Sequence, residues 1–483
     1  MIETRYSAGV SGATVSEISF SPAEEELSSG SGALGSHPGP DAAGDSRVSF
    51  QHESNPSVMS DYWHFFRGEV PLLTYGLSFT FFSSFGQTFL ISLFVPYLLV
   101  EFSLTTGEFG GYYAAATLGS ALLLPWAGQW LDRSRLTRFS LAVVALMALS
   151  ALLLSIAWHL AVLCVALLGL RLAGQGLSSQ AALTAMARYY GARRGKALSI
   201  SSLGYPMGEA ALPLLVAGSI ALIGWRQSWT LMGVLAVAVF APLLVLTLTR
   251  SGVELDPRKA GHRKDSEEGK AGRASTSEAV GGEAWSRREV VRDPRFWFAL
   301  PAVLLPPFWV TGLLLYQTSI ADLKGWSIGL MASAFVAFAV TRIIFSLATG
   351  GTVDRLSARQ LFPFCVLPLG AGMSFLLLFG GAWVAFALMA CLGVTMGMSG
   401  TVKAALWAEL YGTRHLGAIK SMMTALMVLS TAGSPIVVGL VLSGGRGLDG
   451  LLAGGLVSVL IGSMLALRVL PGSRSSPVEV ARG

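Results

Sequence analysis

Twelve stretches of this chain run for about twenty residues or more with almost no charged positions, and short polar segments divide them. They lie near 71–99, 108–131, 138–157, 160–188, 196–223 and 227–249, then near 296–321, 327–352, 360–380, 382–411, 416–443 and 448–469. At 1.5 Å of rise per residue such a run crosses the hydrocarbon core of a bilayer, where a helix satisfies every backbone hydrogen bond within itself. The pattern predicts an all-α membrane protein of twelve transmembrane helices. Residues 1–67 are expected to form a disordered extension, 68–249 and 296–470 two six-helix bundles, 250–295 a polar central loop and 471–483 a tail.

Composition agrees. Apolar residues make up 53% of the 483 and charged residues only 13%, about half the charged share of an ordinary soluble domain. Cys164, Cys365 and Cys391 sit inside apolar runs without paired or metal-ligand spacing, so no disulfide framework and no metal are expected. The six histidines are scattered, and no nucleophile–base pair or phosphate-binding loop emerges, which predicts neither an enzyme nor a cofactor. The excess of six positive charges lies beside apolar runs, so its expected partner is anionic lipid and not nucleic acid. Residues 1–58 are rich in Ser, Gly, Pro and Ala, and Met59 offers a second start.

The short loops set an orientation. Arg133, Arg135 and Arg138, then Arg188, Arg193, Arg194 and Lys196, then Arg355 and Arg359, then Arg414 follow even-numbered runs, while the opposite loops hold only Arg226, Lys324 and Arg446. The positive-inside rule puts both termini in the cytoplasm, and a bacterial inner membrane is the expected location.

The two groups of six are a repeat. Gly128-Gln129-Trp130-Leu131-Asp132-Arg133 returns as Gly350-Gly351-Thr352-Val353-Asp354-Arg355, and 350 − 128 gives an offset of 222. Ala187-Arg188-Tyr189-Tyr190-Gly191 returns as Ala408-Glu409-Leu410-Tyr411-Gly412 at 221, and Pro213 maps onto Pro435 at 222. Such duplication is a mark of transporters. A glycine followed by Asp-Arg at a helix end allows close helix approach, a carboxylate facing a neighbouring helix N-terminus and an arginine on the lipid face; Gly128, Asp132, Arg133, Gly350, Asp354 and Arg355 are therefore the expected gating residues.

With these residues the chain resembles the major facilitator superfamily over about 70–470. The resemblance implies two pseudo-symmetric six-helix bundles, lipid-facing third, sixth, ninth and twelfth helices, and a small solute carried by alternating access in a monomer. Two departures stand out. The glycine that follows Asp-Arg in the family is Arg135 in one half and Ser357 in the other, and Gly204-Tyr205-Pro206-Met207-Gly208-Glu209 lacks the Gly-Pro-x-x-Gly-Gly stretch of drug/proton antiporters. Arg171-Leu172-Ala173-Gly174-Gln175-Gly176 is similar to the family's Arg-plus-glycine motif in the fourth span.

Charge inside a bilayer costs about 2.5–3.5 kcal/mol per residue on insertion scales and needs a reason. Arg171 is twelve residues beyond His159, Arg342 twelve before Asp354, and Glu209 thirteen beyond Lys196, all near mid-membrane; Lys403, six before Glu409, is nearer the cytoplasm. Arg171 and Glu209 could neutralise each other within one bundle. Arg342 has no carboxylate at its depth in its own bundle, which predicts an anionic ligand there. The expected substrate contacts are Arg342, Arg171, Lys403, Gln87, Tyr316 and Gln317, and the expected proton-coupling groups are Glu209 and Asp322. Lys403 could instead snorkel, Asp322 could be a plain helix-end residue, and the amides and phenol could bond between helices. A basic residue in the eighth span, with Gly325-Trp326-Ser327 before it, is similar to the monocarboxylate-transporter and oxalate/formate-antiporter branch, which implies a small organic anion moved in symport with protons. In that branch the arginine lies about one turn nearer the Asp-containing loop. The alternatives are proton-driven efflux of drugs or metabolites and a transporter-like sensor.

Overall fold

The structure is a computed structural model, and it describes residues 69–190, 194–251, 285, 287–412, 416–444 and 447–470. The expected N-terminal extension, residues 252–284 of the central loop, Arg193, Arg414, Arg446 and the tail lie outside the described residues, as do the side chains of Asp132, Arg194 and Asp354.

All twelve expected spans are helical, and there is no strand among the described residues. In the N-terminal bundle they are α1 (Val70–Gly86 followed by Thr88–Glu101), α2 (Thr106–Arg133), α3 (Leu136–Ser155), α4 (Leu160–Tyr190), α5 (Gly195–Ile223) and α6 (Trp225–Arg250). The C-terminal bundle has α7 (Pro294–Leu315), α8 (Ile328–Arg355), α9 (Ala358–Leu378), α10 (Trp383–Tyr411), α11 (Leu416–Ser443) and α12 (Gly447–Leu467). Local chemistry sets the starts. Thr105 and Glu108 form a reciprocal capping box ahead of α2, Asp293 accepts from the Arg295 amide at 2.9 Å behind a proline start to α7, and the Ser327 hydroxyl accepts from the Leu330 amide at 3.1 Å ahead of α8.

Four features depart from unbroken spans. α1 bends by 44° at Gln87, whose backbone is extended. α4 is wound as a π-helix over Arg171–Ser178, and α6 over Ala236–Phe240. α7 stops at Tyr316 and resumes as Gln317–Lys324. Pro125, Pro213 and Pro435 lie inside helices, whereas Pro96 follows a short 3-10 turn and Pro206 follows the turn at Leu203. The expected tether also ends earlier than 295: Arg287–Arg292 is helical, Val290 is buried, and Trp285 packs against Tyr411 with ring centroids 5.5 Å apart.

α3 packs on α6 and α4, and α9 on α10 and α12. Exposed apolar side chains stud the outer helices, for example Leu231, Val234 and Val237 on α6 and Val457, Leu460 and Met464 on α12. A water-facing surface would not carry such a belt; a lipid-facing one does. The bundles meet along α2 against α11, α5 against α8, and α1 against the α7 region. α2 is less apolar than its neighbours because Gly, Tyr and Thr populate it, as suits a helix whose face meets the other bundle.

Candidate functional site

The buried charges sort differently from the sequence expectation. Arg342 on α8 is paired, and its partner is Glu209 on α5, in the opposite bundle. Depth along each span was legible in the sequence; the direction each helix faces was not, so a search within one bundle missed this carboxylate. The arginine side chain is 28% exposed and the glutamate side chain 9%. One glutamate oxygen accepts from Arg342, while the other, Oε2, is buried with no hydrogen-bond donor. Tyr205, one turn before Glu209, lies near Ser179 of α4 and beside both charges. An ion pair in this place ties the two halves at mid-height, and it exposes the cation more than the anion. A buried carboxylate with an open oxygen is also a proton acceptor by geometry.

Arg171 does not neutralise Glu209. Its guanidinium is 1% exposed and turns to the break in α1, donating at 3.2 Å to the Gly86 carbonyl and the Thr88 hydroxyl, with Cζ 5.1 Å from the Tyr113 ring centroid. The Tyr113 hydroxyl in turn donates to Thr88 at 2.9 Å. A helix interrupted in lipid leaves carbonyls without partners, and Arg171 supplies a donor to one of them. Its Nη1 pins the break, while Nε and Nη2 are buried without a hydrogen-bond partner. Gln87 forms the break itself and is half-buried. Lys403 stays within the C-terminal bundle, 3.8 Å from the Met427 sulfur and near Cys365, and does not join Arg342.

Tyr316 and Gln317, expected at the substrate, link the two bundles. The Tyr316 hydroxyl lies 2.7 Å from the Thr106 carbonyl and 2.9 Å from that of Pro435, one from each bundle. The Gln317 amide donates to the Ser92 hydroxyl at 2.5 Å and the Phe89 carbonyl at 3.2 Å, and Thr106 donates to the Gly439 carbonyl at 2.9 Å. Gly110 and Gly439 make this contact possible, since a Cβ on either would strike the backbone of the other bundle, at Pro435 and Thr106 respectively. Asp322 is exposed at this same end, on the short helix after Tyr316, in the position of a helix-end residue.

At the opposite end Arg133 and Arg355 are exposed. Gly128 faces Gln180 of its own bundle, where a Cβ would lie 3.2 Å from the amide oxygen, and Gly350 has open space, so neither makes an inter-bundle contact in this form. A charged contact outside the repeated motif is present here, within the C-terminal bundle. Glu409 accepts from the backbone amides of Ala358 at 2.8 Å and Arg359 at 3.2 Å, capping α9, while the Arg359 guanidinium donates to the Glu409 carbonyl.

Two helical bundles that face lipid on the outside, meet along helices carrying an ion pair at mid-height, and clasp at one end define a membrane transporter of the alternating-access type. The chain belongs to the major facilitator superfamily, whose family model matches residues 77–435. Among solved structures it is similar to a bacterial homolog of the human lysosomal transporter Spinster. The inward-facing and occupied conformation of that protein aligns with a TM-score of 0.60 at 18% identity, covering 85% of this chain and 99% of that one. Its inward-facing and unoccupied conformation gives 0.58 at 15%, covering 86% and 99%. At such identity the likeness is one of fold. No curated protein matches the sequence.

Proposed function

We propose that the protein is a proton-coupled carrier of a small organic anion and that Glu209 and the substrate's carboxylate compete for Arg342. The observation that carries this reading is the ion pair itself. Arg342 is partly exposed, and its counter-ion is a carboxylate of the other bundle. One guanidinium fork can hold one carboxylate well. When a substrate anion takes that fork, Glu209 is left buried without its cation, a state that costs about 3–5 kcal/mol if the charge persists. Uptake of a proton at Oε2 relieves that cost. The exchange balances: the ion pair plus substrate anion plus proton becomes an arginine–substrate pair and a neutral glutamic acid. The bundles lose their mid-height tie in the same event and are free to rock. Release of the substrate lets Glu209 return to Arg342 and give up its proton.

With the basic loops in the cytoplasm, the clasp at Tyr316 and Gly439 lies on the outer face and the form described is closed to the outside. The basic loops and exposed Arg133 and Arg355 then face anionic lipid.

The test is uptake of labelled formate, lactate or pyruvate by proteoliposomes under an imposed pH gradient, acidic on the side of the substrate. The expected result is gradient-stimulated accumulation, lost in Arg342→Ala. Equal transport by Arg342→Ala and wild type, or extrusion of amphipathic compounds with no carboxylate uptake at all, would overturn the reading.

A further inference from the structure

One side of the Glu209–Arg342 pair is dry and the other is open. On α8, Phe338 and Phe335 stand four and seven residues before Arg342. A turn of about 100° per residue puts all three on one face, and both rings are buried. Beyond Arg342, residues 344–348 are all exposed. Five successive positions pass right round a helix, so that exposure includes the face carrying Arg342 and is not the lipid side alone. On α5, which runs the opposite way, Leu212 is buried one turn beyond Glu209, on the side of Phe338. Phe335 meets Phe89 of α1 with ring centroids 5.6 Å apart, the one ring contact between the two bundles among the described residues. Phe89 is itself held, because its carbonyl accepts from the Gln317 amide of the clasp.

Buried phenylalanines are ordinary core residues. What sets these apart is their register with Arg342 and the meeting of both bundles at one ring pair, which makes an apolar wall about 6 Å along α8 from the arginine. An anion that displaces Glu209 puts its carboxylate on the guanidinium fork. The rest of it must lie toward the wall or toward the exposed side, and an apolar chain leaves water favourably. It therefore turns to the wall. Close-packed side chains do not admit extra methylenes without strain, so the chain that fits is about as short as the glutamate carboxyl it replaces. We propose that Phe338 and the Phe89–Phe335 pair are specificity-determining residues that cap the length of the substrate's chain, admitting short carboxylates and turning away longer ones. The inference rests on the reading of Arg342 as the substrate's cation.

The experiment uses the full chain in proteoliposomes at equal pH on both sides. Counterflow of labelled pyruvate is inhibited by unlabelled straight-chain 2-oxo acids of increasing length, which stay ionised and cross bilayers slowly. In the wild type the half-inhibiting concentration is expected to rise about tenfold or more between pyruvate and the acids that carry several further methylenes. In Phe338→Ala and Phe335→Ala the long acids are expected to inhibit about tenfold better than in the wild type, with the value for pyruvate unchanged. A general packing defect would weaken all lengths alike. Phe345→Ala, on the exposed side of Arg342, is expected to keep the wild-type ranking. Should the alanine variants fail to insert, Phe335→Leu and Phe89→Leu carry the test, with a smaller gain for the long acids. A wild type that takes long and short acids equally, or a ranking that none of the wall variants changes, overturns this inference and leaves the anion-carrier reading standing. Absence of pyruvate counterflow in the wild type, with no inhibitable transport of any carboxylate, overturns both.

Discussion

The smallest unit that explains this molecule is a pair of side chains. Glu209 and Arg342 are each costly in a membrane, and together they are tolerable only while they face each other. That conditional stability is what makes them useful to a carrier. Glu209→Gln removes the charge that competes for Arg342 but keeps the shape. The expected outcome is substrate exchange that continues while stimulation by a pH gradient disappears, measured as counterflow and gradient-driven uptake in the same vesicles. Arg342→Lys keeps the charge and loses the fork, so the half-saturating substrate concentration is expected to rise about tenfold or more with insertion unchanged. Arg171 belongs to a different category. Its Nη1 donates to the broken first helix, so Arg171→Gln is expected to lower thermal stability in detergent, with the pH dependence of whatever transport survives unaltered.

At the scale of the element, function sits where helices are interrupted. The bend at Gln87 and the stop at Tyr316 meet across the bundle interface through Gln317, Ser92 and Phe89. The broken first helix lends the Phe89 carbonyl and the Ser92 hydroxyl to Gln317, while the carbonyls of Thr106, Pro435 and Gly439 come from the continuous helices α2 and α11. Gly439→Leu fills the space that the Thr106 backbone occupies, and it is expected to hold that end apart, seen as a longer distance between labels at Ser103→Cys and Ser443→Cys. At the other end Glu409 caps α9. Its replacement by Ala is expected to cost about 1 kcal/mol, read as a lower melting temperature in detergent.

At the scale of the whole molecule, the clasp lies at one end, and Arg133 of α2 and Arg355 of α8 are exposed at the other. Two bundles joined by a clasp and a mid-height ion pair can rock only by giving up one set of contacts for another. The orientation read from the loops makes a simple prediction. An impermeant maleimide added to intact cells is expected to modify Ser103→Cys and to spare Leu356→Cys; the reverse pattern inverts the assignment of the two faces.

The twelve spans and the duplication follow from the order of residues, because bilayer thickness and helical rise turn a count of apolar positions directly into a length. α7 was read a few residues too long, and the broken first helix as continuous, since neither Gln87 nor Tyr316 is a helix breaker by type. What only the tertiary structure decided was azimuth and partnership. A one-residue step along a helix turns a side chain by about 100°, so small uncertainties in register decide whether an arginine faces its own bundle, lipid or the opposite bundle. That is why Arg171 went to α1, why Tyr316 and Gln317 went to the clasp, and why the carboxylate for Arg342 came from 133 positions away on the other bundle.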